Sequence, residues 1–282
     1  MKPYPRTDPR SDQPLPADFL VDQRPETYTD QDHATWRTLF TRQTAILEER
    51  VVDEFFVGLG ALGITPDGIP DFTAMNRILS SATGWSVVAV PGLVPDDVFF
   101  SHLAARRFPA GYWIRRPDRL DYIEEPDVFH DVFGHVPLLM QPRYADYMAA
   151  YGRAGLRLAG QPALTNLARL YWYTVEFGLM HTAAGLRIFG AGIISSAGET
   201  VYSLESTIPA RVHFDCQRVL RTRYEIDDFQ LIYFVLSGYD AMPALDTGAL
   251  DDWIASAQAQ KDIAPGDILG SDSVLSAPGG GH

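Results

Sequence analysis

Two histidines and two carboxylates fall within the eleven residues Asp127-Val128-Phe129-His130-Asp131-Val132-Phe133-Gly134-His135-Val136-Pro137, in otherwise apolar chain. Imidazole and carboxylate are the donors of a metal site that uses no sulfur, so metal-assisted chemistry is the first to consider. His135 stands five positions after His130, and on a regular α-helix that step leaves the two rings roughly 140° apart. One straight helix cannot present both to one ion. The expectation is a helix that begins at Glu125-Pro126-Asp127, where proline suits the first turn and acids suit the positive end of the dipole. Its stop is read at Gly134 and at Val136-Pro137. His130 then lies in the helix and His135 just past its end, turned back toward the first ring.

A third donor is sought on a helix expected over residues 164–180, where Leu164, Ala168, Trp172, Glu176 and Met180 follow a four-residue step. Glu176 is the one charge on that stripe. A lone carboxylate there is costly unless it is protonated, paired or bound to metal. A salt bridge to Arg169 or Arg187 competes with the metal reading, and two histidines lacking a third ligand favour the metal. Two histidines and one carboxylate can hold zinc, or ferrous iron with coordination positions left open. The zinc-hydrolase motif of histidines four apart with an adjacent Glu is absent, because here the gap is five and the neighbour is Asp131. Phe129, Phe133, Tyr171, Trp172, Tyr173 and Phe177 would suit a planar ligand, although aromatic residues at helical spacing are more commonly core. His33, His102, His181, His213 and His282 have no partners at ligand spacing and are read as structural or exposed.

The elements that must position these residues are mostly helical. Residues 1–25, rich in Pro, Asp and Arg, are expected to be a flexible arm, 26–262 a single domain and 263–282 a flexible tail. A long amphipathic helix, broken at most once, is expected over 32–59. Its terminal Gly58-Leu59-Gly60-Ala61-Leu62-Gly63 matches a dinucleotide-binding fingerprint in form, but it follows a helix and runs into the turn Thr65-Pro66-Asp67-Gly68, so a helix cap is preferred. Further helices are expected over 71–80, 99–108, 143–158, 212–220 and 248–259. A strand is expected over 186–189, an apolar loop or edge strand over 87–95, and the state of 224–236 is left open. Arg115-Arg116 reads equally as a solvated turn or as an anion clamp.

The net charge of -13, from 23 basic and 36 acidic residues, argues against nucleic acid and anionic membranes as partners. With no apolar run of membrane-spanning length and no apolar N-terminal stretch, a soluble cytoplasmic protein is expected. Cys216 is the single cysteine, which excludes an intrachain disulfide or a multi-cysteine metal site, and it is read as a packing residue.

Three stretches carry a family likeness: Glu125-Pro126-Asp127 with His130-Asp131, Gly134-His135 and Pro137; Tyr171-Trp172-Tyr173-Thr174-Val175-Glu176-Phe177-Gly178-Leu179; and Gly190-Ala191-Gly192-Ile193-Ile194-Ser195-Ser196. In this order they resemble the motifs of the pterin-dependent aromatic amino acid hydroxylases, most of all the short bacterial members that act on phenylalanine. The likeness runs from about residue 32 to 236. It implies a single catalytic domain of that family's type, mainly α with a few short strands. With no room for the regulatory domain or tetramerisation helix of animal members, a monomer is expected. The implied activity is that of a phenylalanine 4-monooxygenase, which hydroxylates L-phenylalanine to L-tyrosine with dioxygen and a tetrahydropterin, tetrahydrobiopterin or a related bacterial pterin, at a non-haem Fe(II) centre. The resemblance places the iron ligands on His130, His135 and Glu176. It places pterin contacts on Gly92, Leu93 and Val94, on Phe99 as the stacking ring, and on Asp131, where animal members carry Glu. Arg115 and Ser195 would meet the substrate carboxylate, and Trp172 with Gly192 would shape the amino acid pocket. Ile123 stands where animal members carry a Thr near the amino acid. The alternatives are tryptophan or tyrosine as substrate within the family, a zinc-dependent hydrolase using the same ligands, and a non-catalytic metal-stabilised helical module.

Overall fold

The computed structural model describes residues 4–121 and 125–277. The amphipathic segment expected over 32–59 is broken once, into α1 (Asp30–Leu47) and α2 (Asp53–Ala61). Glu49 sits in the break with φ 61, a left-handed conformation that ends helical propagation. The glycine-rich end of this segment is helix and cap rather than a phosphate loop: α2 runs through Gly58 and Gly60, and Gly63 turns the chain with φ 66. α3 (Phe72–Thr83) starts where the Asp71 carboxylate accepts from the Thr73 N–H at 2.8 Å, and it stops at Gly84.

β1 (Ser86–Val90), α4 (Asp96–Ala104) and β2 (Arg107–Gly111) follow, and α5 (Pro142–Leu158) comes after the histidine stretch. β1 and β2 pair in parallel, with α4 as the crossover that a parallel pair needs. The helix expected over 99–108 therefore ends early. Arg106, at φ 54, reverses the chain, and Phe108 is a buried strand residue.

The chain forms two compact units, one made of residues up to Ala45 together with Asp53–Ala159, the other of Ile46–Val52 together with residues from Gly160 onward. The core of the first unit is aromatic. Trp36 and Phe40 of α1 and Phe55 of α2 meet Phe129 and Phe133 edge-on at ring separations of 5.3–5.5 Å. Each such buried ring contributes about 1.5–3 kcal/mol by burial. The segment expected to be a flexible arm lies on this unit through fixed partners. Arg10 reaches the Asp8 carboxylate and the carbonyls of Asp22 and Gln23, with its guanidinium 3.6 Å above the Tyr112 ring. Gln23 bridges the Pro70 carbonyl and the Phe72 N–H.

The second unit opens with α6 (Ala163–Tyr171). It carries a five-stranded sheet in the order β4 (Gly185–Ile188), β3 (Leu179–Thr182), β6 (Ile232–Leu236), β5 (Ala210–His213), β7 (Val274–Ser276). Its remaining helices are α7 (Ala191–Ile194), α8 (Ala197–Glu205), α9 (Cys216–Arg221) and α10 (Gly248–Gln258). The single helix expected over 164–180 is not formed: α6 ends at Tyr171, a wider turn covers Trp172–Glu176, and Met180 belongs to β3. The helix expected over 212–220 is likewise divided, since β5 runs to His213 and Asp215 then caps α9 by accepting from the Arg218 N–H. The segment left open becomes β6, which is wholly buried because it lies between two parallel neighbours. In place of a free tail, β7 pairs with β5, and Asp272 is held by the Arg218 guanidinium. The fold is mainly α with short strands, as expected. No described helix is long and apolar enough to cross a membrane.

Candidate active site

The corner expected between the two histidines is absent. Phe129–His135 is a π-helical turn that passes without a break into the 3-10 turn Val136–Met140. Hydrogen bonding from i to i+5 sets residues five apart on adjoining turns, so His130 and His135 share a face directly. Their Nε2 atoms are 3.3 Å apart, and their rings meet edge-on at 5.0 Å. Gly134 does not adopt the left-handed cap expected of it, since it lies inside the turn rather than at its end. Val136 keeps α geometry at φ -66, ψ -37 although Pro137 follows. The wide turn is held from its other side. Phe129 and Phe133 are completely buried and stack at 4.6 Å, which makes them core rather than ligand-facing aromatics.

Asp131 completes a cluster in which one ligand atom from each of His130, Asp131 and His135 lies within 4.8 Å of the others. Its Oδ2 accepts the Gly111 N–H at 2.7 Å, so the end of β2 sets its direction. The Phe108 ring of the same strand lies 4.9 Å from that of His135. Arg115 proves to be a buried ion-pair residue, whereas Arg116 is the solvated member, paired with Asp118. Asp127 is fully buried and accepts four N–H groups. Its Oδ2 takes the Arg115 backbone N–H at 2.9 Å and Nε at 2.8 Å, and its Oδ1 takes Arg115 Nη2 at 2.8 Å and the His130 backbone N–H at 3.0 Å. Arg115 Nη1 also donates to the Leu120 carbonyl at 3.1 Å. A guanidinium has five N–H groups, and three of those on Arg115 are engaged among the described residues. One carboxylate thus fixes both the arginine and the start of the turn that carries the histidines.

In the second unit, Trp172–Glu176 is again a π-helical turn, closed by the Phe177 N–H on the Trp172 carbonyl at 2.8 Å. Trp172 stacks on Tyr224 at 4.2 Å with an interplanar angle of 13°, and it contacts Phe177 at 4.7 Å. Tyr173 is core, with its hydroxyl on the Arg223 carbonyl. Half-buried Glu176 ends the turn, and its backbone carbonyl lies against the glycines around α7. A Cβ on Gly190 would overlap that carbonyl, and one on Gly192 would stand 3.0 Å from it and 2.9 Å from the Phe177 ring. Only glycine lets the two segments come so close. Ser195 is buried and donates its hydroxyl to the Ala191 carbonyl at 2.9 Å. Arg169, weighed above as a partner for Glu176, forks instead onto Asp262 at 2.6 and 2.7 Å.

Gly92, Leu93 and Val94 form the turn after β1. Leu93 is 47% exposed, and a Cβ on Gly92 would stand 3.5 Å from Glu125 Oε2. Phe99 is half-buried on α4 beside Phe100. Ile123 lies outside the described residues. Sequence reasoning passed over Asp127 as an anchor, although its acid at a helix start was a usable signal. It also passed over Gly111, whose only contribution is a backbone N–H and which carries no signal at all.

Two imidazoles and one carboxylate gathered on a mainly helical frame make a candidate centre for a non-haem metal. The chain belongs to the biopterin-dependent aromatic amino acid hydroxylase family, which it matches over residues 22–246. It is 54% identical over 265 residues to a phenylalanine-4-hydroxylase of Ralstonia nicotianae, covering 94% of this chain and 85% of the relative. Among solved structures, phenylalanine hydroxylase from Chromobacterium violaceum with bound iron(III) and oxidised 7,8-dihydrobiopterin is similar at a TM-score of 0.89 and 50% identity, over 93% of this chain and 95% of that one. The iron- and phenylalanine-bound form of that protein superposes at a TM-score of 0.88 and 48% identity, over 93% and 96%.

Proposed function

We propose that this protein hydroxylates L-phenylalanine to L-tyrosine with dioxygen and a tetrahydropterin, and that His130, His135 and Glu176 hold the ferrous ion. The observation that carries the reading is the convergence of two imidazole Nε2 atoms at 3.3 Å. That is about the separation of neighbouring donors that each lie ~2.0–2.1 Å from one ion. The donor chemistry fits as well, because two neutral imidazoles and one carboxylate leave coordination positions open. Bound iron supplies the centre at which dioxygen is activated with electrons from the pterin.

The chain's own residues bind and orient. Arg115 offers its guanidinium to the amino acid carboxylate, with Ser195 as the second contact, and Asp127 holds that guanidinium so that it approaches already aligned. Trp172 and Gly192 shape the pocket for the aromatic ring. Gly92, Leu93, Val94 and Phe99 receive the pterin, Phe99 by stacking, and Asp131 faces it from the histidine turn. The proposal includes the cytoplasm as compartment, in keeping with the free thiol of Cys216, and a monomer as the working unit, which gel filtration checks.

The test is tyrosine formation from phenylalanine in air, with metal-stripped protein reloaded with Fe(II) or Zn(II), with and without tetrahydropterin. Activity only with iron plus pterin is expected. Tyrosine formed with zinc, or without pterin, would overturn the reading. Glu176→Ala is expected to weaken iron retention and abolish turnover, and full activity in that variant would remove Glu176 from the ligand set.

A further inference from the structure

We infer that Gln230 is a positioning residue for amino acid binding: its side-chain amide fixes the in-plane setting of the Trp172 indole, and through it the shape of the pocket and its preference among aromatic amino acids. This rests on the reading of Trp172 as a pocket residue. Gln230 is 2% exposed, and its oxygen accepts the Trp172 Nε1–H at 2.9 Å. Its Nε2 donates to the carbonyls of Glu225 at 2.9 Å and Asp228 at 3.3 Å. The amide therefore has one allowed orientation, since a flip would set its NH2 against the indole N–H and its oxygen against two carbonyls.

The anchor beneath this amide is rigid. The Gln230 backbone N–H donates to Glu199 Oε1 at 3.2 Å, and the same oxygen accepts the Tyr233 hydroxyl at 2.7 Å. Glu199 lies on α8 and fully buried Tyr233 on the central strand β6, so position 230 is tied to two elements of the second unit. Stacking on Tyr224 at 13° sets the plane of the indole, and the hydrogen bond at its Nε1 edge sets the angle of the ring within that plane. A planar wall held in this way discriminates between substrate rings by their size and offset.

The experiment is a double-mutant cycle with Trp172→Phe, Gln230→Met and both together, in iron-loaded enzyme. The readouts are kcat and KM for phenylalanine, KM for tetrahydropterin, the ratio of kcat/KM for phenylalanine over tryptophan, and the emission of Trp172 as a difference spectrum against Trp172→Phe. Gln230→Met is expected to raise the phenylalanine KM about threefold to tenfold, the loss of one buried hydrogen bond. It is also expected to change the substrate ratio, shift the Trp172 emission, leave bound iron and the pterin KM unchanged, and have no further kinetic effect in the Trp172→Phe background. Should Gln230→Met fail to fold, Gln230→Asn, which keeps the amide but withdraws it, is expected to move the same readouts in the same direction. If Trp172→Phe leaves the amino acid KM and the ratio unchanged, the reading of Trp172 fails. If Trp172→Phe moves them while the Gln230 variants affect melting temperature alone, or if the two effects multiply in the double mutant, Gln230 has a structural role only and the inference is overturned.

Discussion

Asp127→Asn isolates the carboxylate on which the arginine and the histidine turn both depend. Four N–H groups converge on Asp127, two on each oxygen. An asparagine keeps the shape but has one acceptor oxygen. If the amide oxygen occupies the Oδ2 position, the NH2 group faces Arg115 Nη2 and the His130 N–H; if it is flipped, it faces Arg115 N and Nε. Two of four hydrogen bonds are lost either way, and donors meet donors. At about 1–3 kcal/mol for each buried donor left unsatisfied, the loss is about 2–6 kcal/mol. At about 2 °C per kcal/mol for a chain of this size, that lowers the melting temperature by about 4–12 °C. Arg115→Met is expected to cost about 3–5 kcal/mol, because it leaves a fully buried carboxylate without its cation. Combining the two removes the charge imbalance, so the double variant should lose less than the sum of the singles by about 2 kcal/mol or more. Thermal melting of the four proteins gives the stability cycle, and the phenylalanine KM, raised in every variant, gives the functional one. Losses that add to within about 0.5 kcal/mol would refute the claim that Arg115 and Asp127 act as one unit.

Burial lifts the Glu199 carboxyl from 4.5 to about 7. A folded-state pKa raised above the unfolded one contributes stability that is complete below about 4.5 and is lost as pH rises through about 7. Glu199→Gln, which has no charge to bury, should therefore gain on the wild type between pH 5 and pH 8 by roughly 2–3 kcal/mol, and a difference in melting temperature that is flat with pH would count against this. A Cβ at Gly58 of α2 would overlap the carbonyl of Pro137, two residues past His135. Gly58→Ala should thus lower stability by about 1–3 kcal/mol and reduce iron retention, checked by melting and metal analysis, with unchanged values of both as the contrary result. Burial pushes the Cys216 thiol up to about 12. A thiol reagent at pH 8 should label the native protein far more slowly than the denatured one, and equal rates would contradict the assignment.

Local signals were enough for several elements. The helix expected over 71–80, the helical run of the first amphipathic segment and the last helix were all legible, because each depends on local residues, although the first of these runs on to Thr83. Residue type and spacing likewise singled out His130, His135 and Glu176 as candidates. Where periodicity misled, the backbone had left the α period: residues five apart look mismatched at 3.6 residues per turn, and a π-helical turn brings them together. The run 224–236 could not be read, because an apolar run suits a helix or a fully buried strand equally until its neighbours in the sheet are known.

The sequence by itself determined the candidate donors and the composition of an acidic, core-rich chain. Tertiary structure alone decided which partners those residues meet: Arg115 with Asp127, Asp131 with the N–H of Gly111, and Trp172 with Gln230. A side chain's type states what it can bond to, while its partner depends on which distant segment the fold brings within 3 Å, and spacing along one element carries no record of that.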